Sequence, residues 1–416
     1  MSEAIPFLLM QPIKNGISKW IFHTETIAHC DSGSNNAATS DRQPLSNNRC
    51  LRISLIFIME RRKFGDTDLE VSAISLGCWP FGVDWWGHYT DQQALALMQF
   101  AFDRGITFFD SGDAYGNGRA ELLLGQFLKT VKRDQVEVGG KFGYDFYSDP
   151  GEPGSHRERK QDFSPKFLRF ALEKSLQRLG TDCIDLYMAH NIKLPQFRDD
   201  LFAELEKIKA EGKIKIWGVS LGPAIGWREE GIKAMTEHNA KAVQTVYNLF
   251  EQNPGREFCE TARSTRAGVL ARVHDNSSIL KDKVRPETQI SANDHRKFRD
   301  QAWKVYGLKK LELIRHYASD HGMNVHQLAC KWLLMDPALT GITGTLLNEE
   351  EIREAAESVD KPAMTESEMA QLAADYARDW DLGAEAHPCD LKSSTSPGGS
   401  IRSDYVPPPV LVSENR

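Results

Sequence analysis

Four side chains that can hold or transfer a proton stand at or near the ends of strand-like segments. Asp110 ends a short apolar run, and Tyr115 follows it in a loop punctuated by glycine. Lys141 and His190 each end a later apolar segment. A carboxylate, a phenol, an ammonium and an imidazole in one place would support general acid–base catalysis. Taken singly, each also fits an ordinary role, as an N-capping acid, a turn residue, a solvated lysine or a structural histidine. Their meaning therefore depends on the fold that positions them.

The elements around these residues alternate between strand and helix patterns. Eight strand-like segments are each followed by helical sequence, and they begin near Ile74, Ile106, Val136, Ile184, Ile214, Ala242, Gly268 and Thr340. This alternation predicts an α/β fold, a closed (β/α)8 TIM barrel, with an N-terminal β-hairpin that turns at 65–68. The acid–base residues would then lie at the C-terminal ends of strands two, three and four, where barrel enzymes carry their catalytic groups. A doubly wound sheet is the alternative, but no strand is followed by G-x-G-x-x-G.

Composition divides the chain of 416 residues into three parts. Residues 1–58 contain short apolar bursts around a Ser/Asn/Asp-rich stretch, and we expect a poorly ordered or dispensable extension, with Met59 as the domain start. The barrel is predicted to occupy residues 59–383. Residues 384–416 lose the apolar periodicity and are rich in Pro, Ser and Gly, which is typical of a disordered or surface-draped tail.

Charge and cysteine usage limit the classes of partner. A formal net charge of -7 and a sequence pI of about 6.0 argue against nucleic-acid binding, and no apolar run is long enough to span a membrane. The seven cysteines show no CxxC or CxxxC spacing, so the sequence predicts neither a metal site nor a disulfide framework, and a cytoplasmic location is expected. A small molecule is the expected partner. The sequence contains no pattern that predicts the oligomeric state.

From Arg61 to Gly383 the chain resembles the aldo-keto reductase family. The resemblance rests on FFDSGDAYG at 108–116, GKFG at 140–143, LGTDCIDLYMAH at 179–190, GKI at 212–214 leading to GVS at 218–220, and the segment 244–248. It implies that Asp110, Tyr115, Lys141 and His190 form a catalytic tetrad. It also implies a nicotinamide dinucleotide bound extended across the barrel mouth, and the reduction of an aldehyde or ketone to the alcohol.

Physical chemistry gives each member of this tetrad a role in carbonyl reduction. A phenol with the ordinary pKa of about 10 is a poor acid at neutral pH, so an ammonium from Lys141 beside Tyr115 would favour the phenolate and lower the pKa of the phenol. Asp110 would keep that ammonium charged and oriented. His190 would donate a hydrogen bond to the substrate carbonyl and polarise it.

The resemblance also assigns the residues that would hold the nicotinamide. Ser220 and Gln244 occupy the positions that hold its carboxamide, whereas Leu221 replaces the asparagine expected after the serine. Arg272 stands where many relatives have an aromatic ring, and its planar guanidinium could stack in place of that ring. The loop that follows, 274–280, brings an acid and no glycine.

At the adenosine end, Thr345 and Glu351 are the predicted contacts. The two positions that carry basic residues in relatives are Leu347 and Glu351 here. A 2′-phosphate requires Arg or Lys, whereas a carboxylate repels it and accepts a hydrogen bond from a free ribose hydroxyl. The cofactor is therefore NADP or NAD, with NAD favoured, and Arg353 is the residue that would restore NADP binding.

Aromatic residues of the first loop are the expected substrate pocket. These are Trp79, Phe81, Trp85 and Trp86, which would line an apolar or sugar-stacking mouth. Three alternatives remain at this point: a family member that acts as a regulatory, redox-sensing subunit, a Schiff-base lyase with Lys141 as nucleophile, and a metal-dependent barrel hydrolase. The last lacks the several His and acidic ligands at strand ends that it would need.

Overall fold

The computed structural model describes residues 8–12, 18–22, 58–151, 159–222, 227–299, 301–387, 391–392 and 400–401. Most of the predicted extension and tail therefore lies outside the described residues. Four antiparallel strands form one sheet in the order β1-β2-β3-β4, and they are β1 (Leu8–Pro12), β2 (Ser18–Phe22), β3 (Ile58–Lys63) and β4 (Glu70–Ser72). Strands β3 and β4 are the predicted hairpin.

Eight parallel strands close into a barrel, which confirms the predicted TIM fold and excludes the doubly wound sheet. The strands are β5 (Ile74–Gly77), β6 (Phe108–Asp110), β7 (Glu137–Phe142), β8 (Ile184–His190), β9 (Ile214–Ser220), β10 (Ala242–Val246), β11 (Gly268–Arg272) and β12 (Leu339–Gly344). Each pairs with its neighbours along the chain, and β12 pairs with β5 to complete the ring. Two short antiparallel strands follow, β13 (Leu391–Lys392) and β14 (Ser400–Ile401).

Helices connect the barrel strands on the outside. They are α1 (Trp79–Gly82), α2 (Asp91–Asp103), α3 (Arg119–Leu128), α4 (Pro165–Leu179), α5 (Asp199–Ala210), α6 (Arg228–Thr236), α7 (Gly255–Thr265), α8 (Gln301–Asp320), α9 (Val325–Leu334), α10 (Glu349–Glu357) and α11 (Glu366–Ala377). Short 3₁₀ helices cover Arg133–Gln135, Leu194–Gln196, His295–Phe298, Ser358–Asp360, Asp379–Asp381 and Ala384–Ala386.

The long helical region before β12 is divided into α8 and α9. Gly322 adopts a left-handed φ of 61°, and the side chain of Asn324 accepts a hydrogen bond from the backbone of Gln327 to cap α9. Within the described residues, no helix combines the length and the apolar character needed to cross a bilayer.

The hairpin closes the end of the barrel opposite the strand C-termini. Phe64 and Val71 of this segment are fully buried and pack in one cluster with Phe108, Leu186, Met188, Ile216, Ala242 and Leu270. The guanidinium of Arg61 donates to Thr107 at 2.7 Å and to Glu137 at 2.6 Å, which fastens β3 to the base of strands β6 and β7. With one end filled, the barrel is open to ligands only at the C-terminal ends of its strands.

Candidate active site

A buried ion pair lies at the C-terminal mouth of the barrel. The Nζ of Lys141, on β7, donates to Oδ2 of Asp110, on β6, at 2.6 Å and to the carbonyl of Ser111 at 2.8 Å. Lys141 is 0% and Asp110 3% exposed. The parallel pairing of β6 with β7 brings these strand ends together, so the predicted contact between the two residues follows from the fold.

Tyr115 reaches the ion pair because two glycines leave room for the turn that carries it. The ring lies against Gly112, where an added Cβ would come within 3.3 Å of the phenol carbon Cζ. Gly116 has a left-handed φ of 61° and approaches Gly82 so closely that a Cβ would lie 2.1 Å from its carbonyl oxygen. The turn thus folds the phenol back over the strand ends and presses it against α1.

The charges around Tyr115 act in opposite directions on its phenol. Burial raises the pKa of Tyr115, while the positive charge of Lys141, whose Nζ is 5.1 Å from the ring centre, pulls that pKa down. Burial outweighs the charge of Lys141, so the pKa of Tyr115 lies above its ordinary value and the phenol keeps its proton at neutral pH. Burial alone would lower the pKa of Lys141; the negative charges of Asp110 and of the Tyr115 phenolate more than offset this and raise that pKa. A lysine held protonated in this way is a poor nucleophile, which argues against the Schiff-base alternative.

His190, at the end of β8, completes the group. Its ring lies edge-on to the ring of Tyr115 at 5.7 Å and to that of Tyr144 at 5.0 Å. Burial and the nearby charges of Lys141 and Arg272 lower the pKa of His190 well below its ordinary value, so the imidazole is neutral. A neutral imidazole has one N–H, which can donate to a carbonyl oxygen without adding a charge.

Ser220 and Gln244 meet at the opposite side of the mouth. The hydroxyl of Ser220 donates to the amide oxygen of Gln244 at 2.8 Å, and the amide nitrogen of Gln244 donates to the hydroxyl of Thr343 at 3.2 Å. All three side chains are buried and belong to β9, β10 and β12. Hydroxyl and amide groups of this kind can exchange hydrogen bonds with a carboxamide, so their chemistry fits the nicotinamide that the sequence assigns to them.

Arg272 crosses the mouth from β11. Its guanidinium donates to the carbonyl of Leu221 at 2.8 Å and also contacts the carbonyl of Gly222, so it holds the chain that leaves β9. Burial lowers its pKa, although the negative charge that Tyr115 and Asp110 can carry opposes this. Arg272 therefore contributes positive charge close to the tetrad as well as a flat surface.

The loop after β11 adopts left-handed backbone conformations without glycine. Val273, Asn276, Ser277 and Ser278 have φ values of 54°, 47°, 54° and 78°. Such conformations are costly for residues with a Cβ and need support from the surroundings. Part of that support comes from Trp303, whose indole nitrogen donates to the carbonyl of Asn276 at 3.1 Å.

The carboxylate of Glu351, which the sequence predicts to contact the adenosine end of the cofactor, is already engaged by other residues of the chain. The buried Lys281 donates to Glu351 at 2.8 Å, lies 3.1 Å from Asp275, and also donates to the carbonyl of Thr345. The carboxylate of Glu351 also accepts a hydrogen bond from the backbone nitrogen of Leu347 at 3.0 Å. The carboxylate on which the preference for NAD rested is therefore paired with a lysine that sequence reasoning missed.

Three of the four predicted pocket aromatics form one cluster, which meets the tetrad through Trp79. Trp79 stacks on Tyr115 at 5.9 Å, and it meets Trp85 at 5.1 Å and Trp86 at 4.6 Å. Phe81 was predicted to line the pocket, and this is wrong: it is fully buried in the main core, where it packs against Tyr89. The short helix α1 explains the difference, because it turns Phe81 away from Trp79 and into the interior.

Three further residues at the mouth were not predicted from the sequence. His295 stacks on Trp85 at 5.3 Å and comes from the long segment between β11 and α8. Tyr144 accepts a hydrogen bond from Asn191 at 2.7 Å while bordering His190, and Gln161 donates to the carbonyl of His190 at 3.0 Å. Of the three, only Tyr144 could have been proposed from the sequence, because it follows Lys141 closely in a loop at a strand end.

Comparison with known proteins finds one family and several relatives. The model of the Aldo/keto reductase family matches residues 73–376. The chain is 29% identical over 333 residues to "Probable aldo-keto reductase 1" of Glycine max, an alignment that covers 71% of this chain and 88% of that protein.

Two solved structures share the fold. One is the aldo-keto reductase AKR11C1 from Bacillus halodurans in its holo form, with a TM-score of 0.62, 22% identity, and coverage of 76% of this chain and 96% of that one. The other is the glycerol dehydrogenase AKR11B4 from Gluconobacter oxydans, with a TM-score of 0.65, 22% identity, and coverage of 76% and 95%.

Proposed function

Because the chain belongs to the aldo/keto reductase family and is thus an oxidoreductase, we propose that it reduces the carbonyl group of a small aldehyde or ketone to the alcohol, and catalyses the reverse oxidation, with NADH or NADPH. The observation that carries this proposal is the buried Lys141–Asp110 pair with the Tyr115 ring over it. His190 stands beside that ring and faces the same space.

Residues on the far side of the mouth would hold the cofactor. Ser220 and Gln244 offer a hydroxyl and an amide to the nicotinamide carboxamide, and Arg272 offers a flat guanidinium beside it. Thr345, Glu351 and Lys281 lie where the adenosine end is expected. When bound, the reduced nicotinamide supplies the hydride that the carbonyl carbon accepts.

The chain's own residues supply the proton. The neutral His190 donates a hydrogen bond to the carbonyl oxygen, which orients the substrate and increases the positive charge on its carbon. Tyr115 then transfers its phenolic proton to the oxygen as negative charge develops there. Lys141 stabilises the phenolate that remains, and Asp110 keeps Lys141 charged throughout. Trp79 and Trp85 exclude water from one side of this space and select for apolar or ring-bearing substrates.

An absorbance assay of NADH and NADPH oxidation with a panel of aromatic aldehydes tests the proposal. The Tyr115→Phe variant removes the acid but keeps the ring, so kcat is expected to fall by about 10²–10⁴-fold, while cofactor affinity stays within about twofold because the phenol oxygen is not assigned to the cofactor. The matched control is Tyr306→Phe, because the hydroxyl of Tyr306 donates to Glu385 on the barrel exterior. This variant should retain wild-type activity. Full turnover by Tyr115→Phe would remove Tyr115 from the acid role. A wild-type protein that binds cofactor but reduces no carbonyl would instead support the regulatory-subunit alternative.

A further inference from the structure

One group of three metal-ligating side chains occurs in the part of the chain that the structure describes. It consists of His274, His326 and Cys330, and their ligand atoms all lie within 4.8 Å of one another. His274 follows β11 in the irregular loop, whereas the other two are four residues apart on α9 and therefore share one face of that helix. The cluster joins a loop at the barrel mouth to a helix on the barrel exterior.

The distances suit a shared ion. The Nε2 atoms of His274 and His326 are 3.0 Å apart. Two nitrogens that bind one Zn²⁺ at about 2.0–2.1 Å in a tetrahedral arrangement lie about 3.3 Å apart, so a small shift accommodates the ion. All three side chains are buried, with 0% exposure for His274, 2% for His326 and 0% for Cys330. Two imidazoles and a thiolate are a ligand set that Zn²⁺ favours.

Surrounding groups prepare His326 for coordination. Its Nδ1 lies 3.0 Å from a carboxylate oxygen of Glu354 on α10. Glu354 is held in turn by the side-chain amide of Asn324 at 2.7 Å. A carboxylate on Nδ1 fixes the proton there, which leaves the Nε2 lone pair of His326 directed at the position between the rings.

A plain hydrogen bond between two core histidines is the competing explanation, and a third metal-ligating side chain beside the pair argues against it. The Nδ1 of His274 is buried and has no hydrogen-bond partner among the described residues. Its Nε2 meets only the ring of His326. Among the described residues His274 therefore has no hydrogen bond to a protein oxygen, and its Nε2 is available to a metal ion. A hydrogen bond between the two rings does not involve Cys330, although the ligand atoms of all three residues lie within 4.8 Å of one another.

We propose that His274, His326 and Cys330 bind one Zn²⁺ ion. Binding forms two metal–nitrogen bonds and one metal–sulfur bond, and the thiol proton of Cys330 leaves to solvent as the thiolate forms. The two charges of the ion are balanced by this thiolate and by the carboxylate of Glu354 behind His326. A water molecule takes the fourth position.

The role of this ion is structural. It fastens the loop that begins at Val273 to α9, and that loop continues to Lys281, which contacts Thr345 and Glu351. The ion would thereby hold in place a loop whose backbone is strained at several residues. The site takes no part in hydride or proton transfer, so it stands independently of the proposed reduction.

Cobalt substitution of the full-length protein tests the proposal. Loading with Co²⁺ alone is expected to give a thiolate-to-cobalt charge-transfer band and a tetrahedral d–d spectrum at about one ion per chain, and Zn²⁺ should displace both. Cys330→Ser is expected to abolish the charge-transfer band. Cys183→Ser, which alters another free cysteine outside the cluster, is the control and should keep it. Circular dichroism checks the fold of each variant.

Two results would overturn the site. Wild-type protein that shows no charge-transfer band with Co²⁺ does not use a cysteine ligand, and an unchanged band in a folded Cys330→Ser variant places the thiolate elsewhere. If Cys330→Ser fails to fold, the site is tested by comparing how Zn²⁺ shifts the melting temperatures of the wild-type protein and of His274→Asn. Excess Zn²⁺ should raise the wild-type melting temperature and EDTA should reverse the rise, whereas His274→Asn should show at most a tenth of that shift; equal shifts contradict the proposal.

Discussion

The Nζ of Lys141 and the Oδ2 of Asp110 are 2.6 Å apart at the C-terminal ends of adjacent barrel strands, and neither residue is more than 3% exposed. Neither charge can be solvated by water at this depth, so each depends on the other for its ionised state. This dependence links the stability of the fold to the chemistry of Tyr115, because the lysine that the aspartate keeps charged is the one that faces the phenol.

Removing one partner of this pair should cost more stability than removing both. Lys141→Met leaves the carboxylate of Asp110 buried without a counter-charge, and the free energy of unfolding is expected to fall by about 3–5 kcal/mol. The double variant Asp110→Asn with Lys141→Met should recover most of that loss. Urea unfolding of the single and double variants measures the difference, and equal stabilities for the two would contradict the expectation.

Carbonyl reduction should persist to unusually high pH. Reduction requires the protonated phenol, which is present below the pKa of Tyr115, and burial raises that pKa above its ordinary value of about 10. The rate of reduction is therefore expected to stay level from neutral pH to about pH 10 and to fall only above about pH 10. The rate of the reverse oxidation, which needs the phenolate, is expected to rise where the rate of reduction falls. Profiles of kcat against pH in both directions provide the measurement; a decline in reduction near pH 7 would show that Lys141 dominates over burial.

NADH is expected to bind more tightly than NADPH. Leu347 offers no cation to a 2′-phosphate, and Lys281 is already paired with Asp275 and Glu351. Quenching of tryptophan fluorescence during titration with each cofactor compares the two affinities. Tenfold tighter binding of NADPH would reverse this assignment and direct attention to Arg353.

Glu351→Gln separates two explanations for that preference. Because the carboxylate serves Lys281, its loss is expected to lower the free energy of unfolding by about 1–3 kcal/mol and to leave the ratio of NADH to NADPH affinity within about twofold. A selective tenfold gain in NADPH affinity would show instead that the carboxylate repels the cofactor phosphate.

The metal-free protein should lose stability as the pH falls below the ordinary range of histidine. Burial lowers the pKa of His274 and of His326 to about 3. Between about pH 6.5 and pH 3 the unfolded chain then binds more protons than the folded one, so the free energy of unfolding decreases with acidification, by about 1–3 kcal/mol for each histidine at pH 4.

Urea unfolding at several pH values in EDTA measures this dependence. His274→Asn should reduce it by about half, whereas His316→Asn, which changes an exposed histidine on α8, should leave it unchanged. The same slope in both variants would mean that other groups account for the acid sensitivity.

Alternating strand and helix patterns were sufficient to predict the barrel and the positions of Asp110, Lys141 and His190. In a parallel barrel every strand presents its C-terminal end at the same mouth, so a residue that ends an apolar run is assigned to the site by local pattern alone. The glycines around Tyr115 also made the turn that carries it predictable, because the freedom of the backbone at glycine is a property of the local sequence.

Tertiary packing decided what occupies the rest of the mouth. Phe81 enters the core although Trp79 and Trp85 do not, His295 reaches the aromatic wall from a distant segment, and Lys281 neutralises Glu351. The pairing of His274 with residues of α9 is of the same kind. These contacts join positions far apart in the chain, and no short-range pattern records them, since their energies depend on which loops pack together once the barrel has closed.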